Sequence, residues 1–342
     1  LYLKEKVEKL FPSPHRELAN ALQFGFKRNI PREIKDAFIK TGTAHLLAIS
    51  GLNITLVGGF FYFLLAFLGL ARSLNLMFTV LFIAVYVVLA GADPPVLRAG
   101  VMGIAVLAGF LLEQERHIKS ALFFAFFLLL IADPKLLFLA SFQLSFVAVA
   151  SLIFILPILE KGWFSDRRQK RVSHLVRQNW WIRLSRFLIR TFATSFAATV
   201  GMFPLLIWYF NQFSLTSFLA NAVAIPVCNF GTVAALLVLL IDLMGLPFVR
   251  LLVFIPTALL DLELNIVKWF SEIPFGYFYL PKPTWIFFVS YYSFLIAWLV
   301  FSRRAAVLES VGFKGRAVLP RLRFLCLGGL VFTVVLFLLG SR

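Results

Sequence analysis

The chain has 342 residues, 61% of them hydrophobic and 14% charged, against about 45–50% and 25% in a soluble domain. A single soluble core cannot hide that much apolar surface, because such cores stop growing near about 250–300 residues, so the excess faces lipid. Lys and Arg number 33 against 16 Asp and Glu, a net charge of +17, which fits either the basic cytoplasmic loops of a membrane protein or a polyanionic partner.

The two cysteines, Cys228 and Cys326, form no CxxC and no disulfide framework. His15, His45, His117 and His174 are too scattered for an HxH or HExxH motif, so neither a metal nor another cofactor is expected. The chain begins at Leu1 and shows no secretory leader pattern; it is expected to be part of something longer.

In chain order, residues 1–43 place Leu3, Val7, Leu10 and Phe11, and later Ile34, Ala37 and Phe38, at helical spacing among Lys and Glu. This predicts short amphipathic helices lying on a membrane surface or on the protein itself. A transmembrane domain over 44–342 follows. The fold class is all-α, a polytopic bundle of about ten membrane-embedded segments. They are expected near 44–70, 74–91, 95–112, 118–132, 136–159, 187–210, 213–241, 246–270, 284–301 and 323–340. The 118–132 stretch is short for a full crossing. The 213–241 stretch holds Asn221, Pro226 and Asn229 and predicts a broken helix of the kind that lines a cavity.

The basic loops at 160–190 and 302–323 are expected on the cytoplasmic side. Ten crossings put both ends outside. The nine Lys and Arg of residues 1–43 argue against that placement, and favour a first apolar stretch that dips in and returns. No internal repeat supports an inverted-repeat transporter.

Polar side chains inside apolar runs mark bundle interiors or water-filled paths. His45, Ser50 and Asn53 stand in one such run, with Ser50 and Asn53 on a shared helix face and Gly51 allowing close approach of backbones. At 93–98, Asp93 suits an N-cap and Pro94 the first helical position. Arg98 then either snorkels or pairs with Asp93, or faces an anionic substrate. Ser141 and Ser145 share a face while Gln143 points elsewhere, a pattern of helix–helix hydrogen bonding. Asn221 and Asn229 flank Pro226 and suit a polar path. Asp242, Asp261 and Glu263 read as acids near helix ends. No GxSG, HExxH, GxGD or Walker A motif is present, so the chain is expected not to be an enzyme.

Four segments resemble one family. Phe38 to Leu52, ending in His45-Leu46-Leu47-Ala48-Ile49-Ser50-Gly51-Leu52, resembles the hallmark of the ComEC competence channel family. Arg98-Ala99 with Met102 resembles its RA-x-x-M segment. Asp133-Pro134 with Ser141-Phe142-Gln143-Leu144-Ser145-Phe146 resembles its NP…GFQLSF segment. Pro204, Phe213 and Leu219 to Pro226 resemble its P…F…LANLLAVP segment. Asn53 departs from the usual histidine and Ser141 from the usual glycine.

The resemblance implies a multi-pass bacterial inner-membrane channel that passes transforming DNA into the cytoplasm as a single strand. It implies as partners the single-stranded DNA, the lipid bilayer, a cytoplasmic helicase or translocase and an extracytoplasmic DNA receptor. Nuclease activity would come from another domain or protein, since neither an OB-type nor a metallo-β-lactamase-like domain is recognisable here. The candidates for the DNA path are His45, Ser50, Asn53, Arg98, Gln143, Ser145, Asn221 and Asn229. The alternatives are a small-molecule or lipid transporter of the inner membrane, and a scaffold whose polar residues only hold helices together.

Overall fold

In the computed structural model the described residues are 2–25, 30–47, 51–111, 118–163, 180–245, 249–310 and 318–340. Backbone in lipid must satisfy its own hydrogen bonds, and the apolar runs accordingly form helices. The N-terminal elements are α1 (Tyr2–Leu10), α2 (His15–Phe24), α3 (Arg32–Lys40) and a 3-10 turn (Ala44–Leu47). Then come α4 (Gly51–Phe67), α5 (Arg72–Leu89), α6 (Pro94–Leu111), α7 (Ile118–Ala132), a second 3-10 turn (Pro134–Phe138), α8 (Ala140–Phe154), α9 (Leu156–Trp163) and α10 (Trp180–Phe210). After strand β1 (Gln212–Ser214) come α11 (Ser217–Leu243), α12 (Val249–Leu252) and α13 (Phe254–Ser271). Strand β2 (Tyr277–Tyr279) then precedes α14 (Trp285–Ser310) and α15 (Val318–Gly340). The two short strands pair with each other.

Among the described residues five helices are long and apolar enough to cross a membrane: Arg72–Leu89, Ala140–Glu160, Leu184–Phe210, Ser217–Leu243 and Trp285–Arg304. Four shorter apolar helices cover Asn53–Phe67, Pro94–Gly109, Ile118–Ala132 and Leu322–Leu338. The architecture is an all-α membrane helix bundle. Large apolar side chains such as Phe67, Val88, Ile131 and Ile286 stand exposed on it, as lipid-facing positions must.

Two expected segments take another form. Residues 213–241 do not break. Pro226 lies inside the continuous α11, where a proline removes one backbone hydrogen bond, and the helix packs along α13 on its way. The 246–270 stretch yields α12 and α13, and the Asp261, Glu263 and Lys268 of α13 keep it out of the apolar set. Residues 118–132 form a helix of 15 residues, about 22 Å at 1.5 Å per residue, short of the ~30 Å hydrocarbon thickness.

The chain folds into two compact units, residues 1–146 with 214–277, and residues 147–213 with 278–342. In the first, Val7, Phe11, Leu18, Leu22 and Phe38 share one core with Ala224, Cys228, Leu239, Leu260 and Val267. The amphipathic faces of α1–α3 therefore lie on the protein, against α11 and α13. A second core joins Ile54 and Val57 of α4, Ile83 and Tyr86 of α5, and Val96 and Ala99 of α6. The second unit packs Ile155, Ala197, Phe287, Tyr291, Leu295, Trp298, Cys326 and Leu330. There the Tyr291 hydroxyl donates to the Val200 carbonyl at 2.6 Å and the Tyr292 hydroxyl to the Gly201 carbonyl at 3.1 Å.

Candidate functional site

The site begins where α3 ends. The amide of Thr43 bonds the Phe38 carbonyl at 2.9 Å and that of Gly42 the Ile39 carbonyl at 2.9 Å. With Gly42 at φ +69°, this is a Schellman closure that turns the chain out of the helix. A Cβ on Gly42 would also stand 2.7 Å from Ser217 Cβ, so the opening of the first motif is seated against the start of α11. Thr41 and Thr43 are fully buried and join their hydroxyls at 2.7 Å. The 3-10 turn that follows buries Leu46 and Leu47 and leaves His45 exposed.

The chain then enters α4 at Gly51. A Cβ there would lie 2.7 Å from Nη2 of Arg98 and 3.1 Å from Ala99 Cβ. A side chain there would displace the Arg98 guanidinium, so the glycine lets it press on the opening turn of α4. From the other side, Arg98 Nε donates to Ser145 Oγ of α8 at 2.7 Å, Nη1 approaches Met102 Sδ at 3.7 Å, and the guanidinium carbon stands 6.0 Å from the Phe146 ring centre. Phe146 is held in turn by Phe126 at 5.4 Å and Phe142 at 4.5 Å. Three of the four sequence motifs thus meet at one arginine, and the Leu219 to Pro226 part of the fourth, on α11, packs in the same unit.

Arg98 is 8% exposed. The ion pair with Asp93 that the spacing allows does not form: the Asp93 carbonyl receives the amides of Val96 and Leu97, its side chain is in an exposed residue, and no described carboxylate pairs with Arg98. An arginine in a span costs at least about 2.5–3.5 kcal/mol. Here its partners among the described residues are one hydroxyl, a thioether and a ring face. It also lies at the amide-bearing, positive end of a helix. Such an arrangement attracts an anion with oxygen acceptors: the planar guanidinium supplies the charge, and the first amides of α4 supply further donors.

The remaining candidates scatter. Asn53 is buried, and its Nδ2 donates to the Leu22 carbonyl at 3.4 Å, one of the acceptors left over at the C-terminal end of α2. Gln143 Nε2 caps the Leu137 carbonyl at 2.9 Å, on a different side from Ser145, as its register predicts. Asn221 is buried with no partner for Oδ1 among the described residues, and Asn229 is half-buried on α11. Ser50 lies outside the described residues.

Sequence reasoning missed two participants. One is Phe146, the ring beneath Arg98; its signal was its place next to Ser145 in an otherwise lipid-like run. The other is Glu263, read as an acid near a helix end. It lies well inside α13, 1% exposed. The buried positions Pro256, Leu260, Glu263, Val267 and Phe270 follow a four-three-four-three spacing, and that pattern pointed inward.

A family model described as "Competence protein" matches residues 22–305. The chain is 34% identical over 235 residues to ComE operon protein 3 of Bacillus subtilis (strain 168), covering 67% of this chain and 27% of that protein. It is 30% identical over 226 residues to Recombination protein 2 of Haemophilus influenzae, covering 64% and 27%. It is also 30% identical over 265 residues to YcaI of Escherichia coli (strain K12), covering 72% and 32%. The chain therefore matches about a third or less of the length of these relatives. No solved structure matches it. With all four motifs inside or overlapping the matched region, and three of them gathered at Arg98, the chain belongs to the Competence protein family.

Proposed function

We propose that this chain is the channel-forming part of a bacterial inner-membrane protein that passes single-stranded transforming DNA into the cytoplasm. The observation that carries the reading is Arg98: a buried cation between α4, α6 and α8, with no carboxylate partner among the described residues. A strand brings one negative charge per nucleotide and needs positive potential and polar donors along its way through hydrocarbon. Arg98 with the opening of α4 offers one such step. His45, exposed beside it in sequence, together with the half-buried Ser145, offers hydrogen bonds.

In this reading the chain performs no covalent chemistry. Strand degradation belongs to another domain or protein, and an extracytoplasmic receptor delivers the DNA. An inside-negative potential opposes entry of an anion by about 2.3 kcal/mol per charge per 100 mV, so a cytoplasmic helicase or translocase supplies the pull.

The test is uptake of labelled DNA by cells carrying the full-length gene with Arg98→Ala or His45→Ala, at matched membrane abundance. Loss of internalised strand with surface binding retained supports the reading. Normal uptake in both variants removes these residues from the path.

A further inference from the structure

The seam between α11 and α13 holds a second charged residue that the channel reading does not use. Along α13 the buried positions are Pro256, Leu260, Glu263, Val267 and Phe270, and Glu263 occupies an apolar place in that series. Opposite it on α11 the packing positions are small. Gly231 meets Leu259 and Leu260 at 3.6 and 3.9 Å from its would-be Cβ, Cys228 lies beside Glu263, and Ala224 shares the core with Val267.

Among the described residues neither Glu263 oxygen meets hydrogen-bond geometry with a partner, and the weak Cys228 thiol is the group beside it. Every element packed on α13 was a possible source of a countercharge. On α11, Cys228 is a thiol and Asp242 is taken by Lys6 at 2.8 Å. On α2, His15 bonds Asp261 at 2.7 Å and Arg16 pairs with Glu17 at 2.8 Å. Among the described residues no charged side chain of α3, from Arg32 to Lys40, nor Arg250 of α12 forms an ion pair with Glu263, and the Cys228 thiol lies beside it.

We propose that Glu263 is a proton-binding site, neutral while α11 and α13 are packed as here and ionised only when that seam parts. A carboxylate with two unpartnered oxygens is not tolerated in a closed apolar seam, because burial disfavours the charged form and an unpaired buried charge is far costlier than a neutral carboxyl. In the closed seam the carboxyl holds the proton. When the seam opens, water reaches the oxygens and accepts it. The reverse transfer allows the helices to close. Packing of the two helices and proton binding are thus one linked equilibrium: raising pH favours the open seam and lowering it the closed one. Gln is the neutral isostere and should hold the seam closed at any pH.

The experiment uses the full chain in lipid nanodiscs. Infrared difference spectra of wild type minus Glu263→Gln at neutral pH should show the carbonyl stretch of a protonated carboxylic acid. In parallel, labelling of Cys228 by a neutral maleimide is followed against pH in a Cys326→Ala background, in wild type and in Glu263→Gln. The expected result is an acid band unique to wild type, with Cys228 labelling rising more steeply with pH in wild type than in the variant. A spectrum with only carboxylate bands from Glu263 would overturn the proposal, as would identical labelling profiles. Both readouts stand whether or not the chain carries DNA.

Discussion

The two units of this chain solve the problem of living in lipid differently. The first buries Arg98 and Glu263, together with His15 and the amides of Asn20, Gln23, Asn53, Asn75 and Asn221. The buried polar residues described in the second are Ser151, Ser195, Gln212, Ser302 and Thr333. Ser151 and Thr333 return their hydroxyls to carbonyls one turn back at 2.6 and 2.8 Å. Rings fill that unit's interior, without a buried charge among its described residues: Phe203 meets Phe213 and Tyr291 at 5.3 and 5.9 Å, and Phe287 meets Phe337 at 4.5 Å. Buried charge is destabilising unless paired, so its concentration in one unit, which also holds three motifs converging on a single arginine, separates the part shaped by function from the part shaped by packing.

The largest expected effect breaks stability and function apart. Arg98→Met removes an unpaired buried charge, so the fold should be as stable as wild type or more stable, since replacing buried ions by apolar groups is often neutral or stabilising. Uptake should nevertheless fall on the order of 10²-fold, as when a buried charge contact is lost. Thermal unfolding in detergent, read beside uptake at matched abundance, checks both signs.

Next in size is Gly42→Ala. It forces an alanine to φ +69° and sets its Cβ 2.7 Å from Ser217 Cβ, and should cost about 2 kcal/mol or more. Gly59, in the same unit, has nothing within 4 Å of its would-be Cβ; Gly59→Ala should be neutral, or stabilising by up to about 1 kcal/mol. Equal effects in unfolding experiments would mean that the turn after α3 is not the fixed seat described above.

In the second unit Tyr291→Phe deletes the hydrogen bond to the Val200 carbonyl. It should cost about 0.6–1.5 kcal/mol of stability and leave uptake per folded molecule unchanged. The smallest effect is at His45. The ring stands exposed on the 3-10 turn, where it can offer a hydrogen bond. His45→Gln keeps a hydrogen-bonding side chain and should keep uptake and stability near wild type, read by uptake and thermal unfolding at matched abundance.

Much of this was legible in the residues. Apolar run lengths gave the helices, and the register of Ser141, Gln143 and Ser145 correctly sent Gln143 and Ser145 to different sides. The pairing of Arg98 with Ser145 was not legible, because it joins positions 47 apart in the chain and helical periodicity speaks only of neighbours a turn away. Asn53 was read as a path residue, and its bond to a carbonyl at the end of α2 was not legible, because that donor–acceptor match depends on where α2 stops. Pro226 misled as a breaker because packing against α13 outweighs one lost backbone bond. Glu263 was visible in the spacing of its apolar neighbours and was overlooked because acids are expected at helix ends.

In the proposed channel the strand passes the Arg98 site in the first unit. The direct measurement is photocrosslinking of transforming DNA stalled by a bulky end during uptake. A benzophenone amino acid replaces Met102, one turn from Arg98 and in contact with it, or Ser151 in the second unit, each in the full-length gene. Crosslinks to the strand are expected at 102, together with their loss when Arg98→Met is added. Crosslinks at 151 with none at 102, under conditions where both variants still take up DNA, would contradict passage at Arg98.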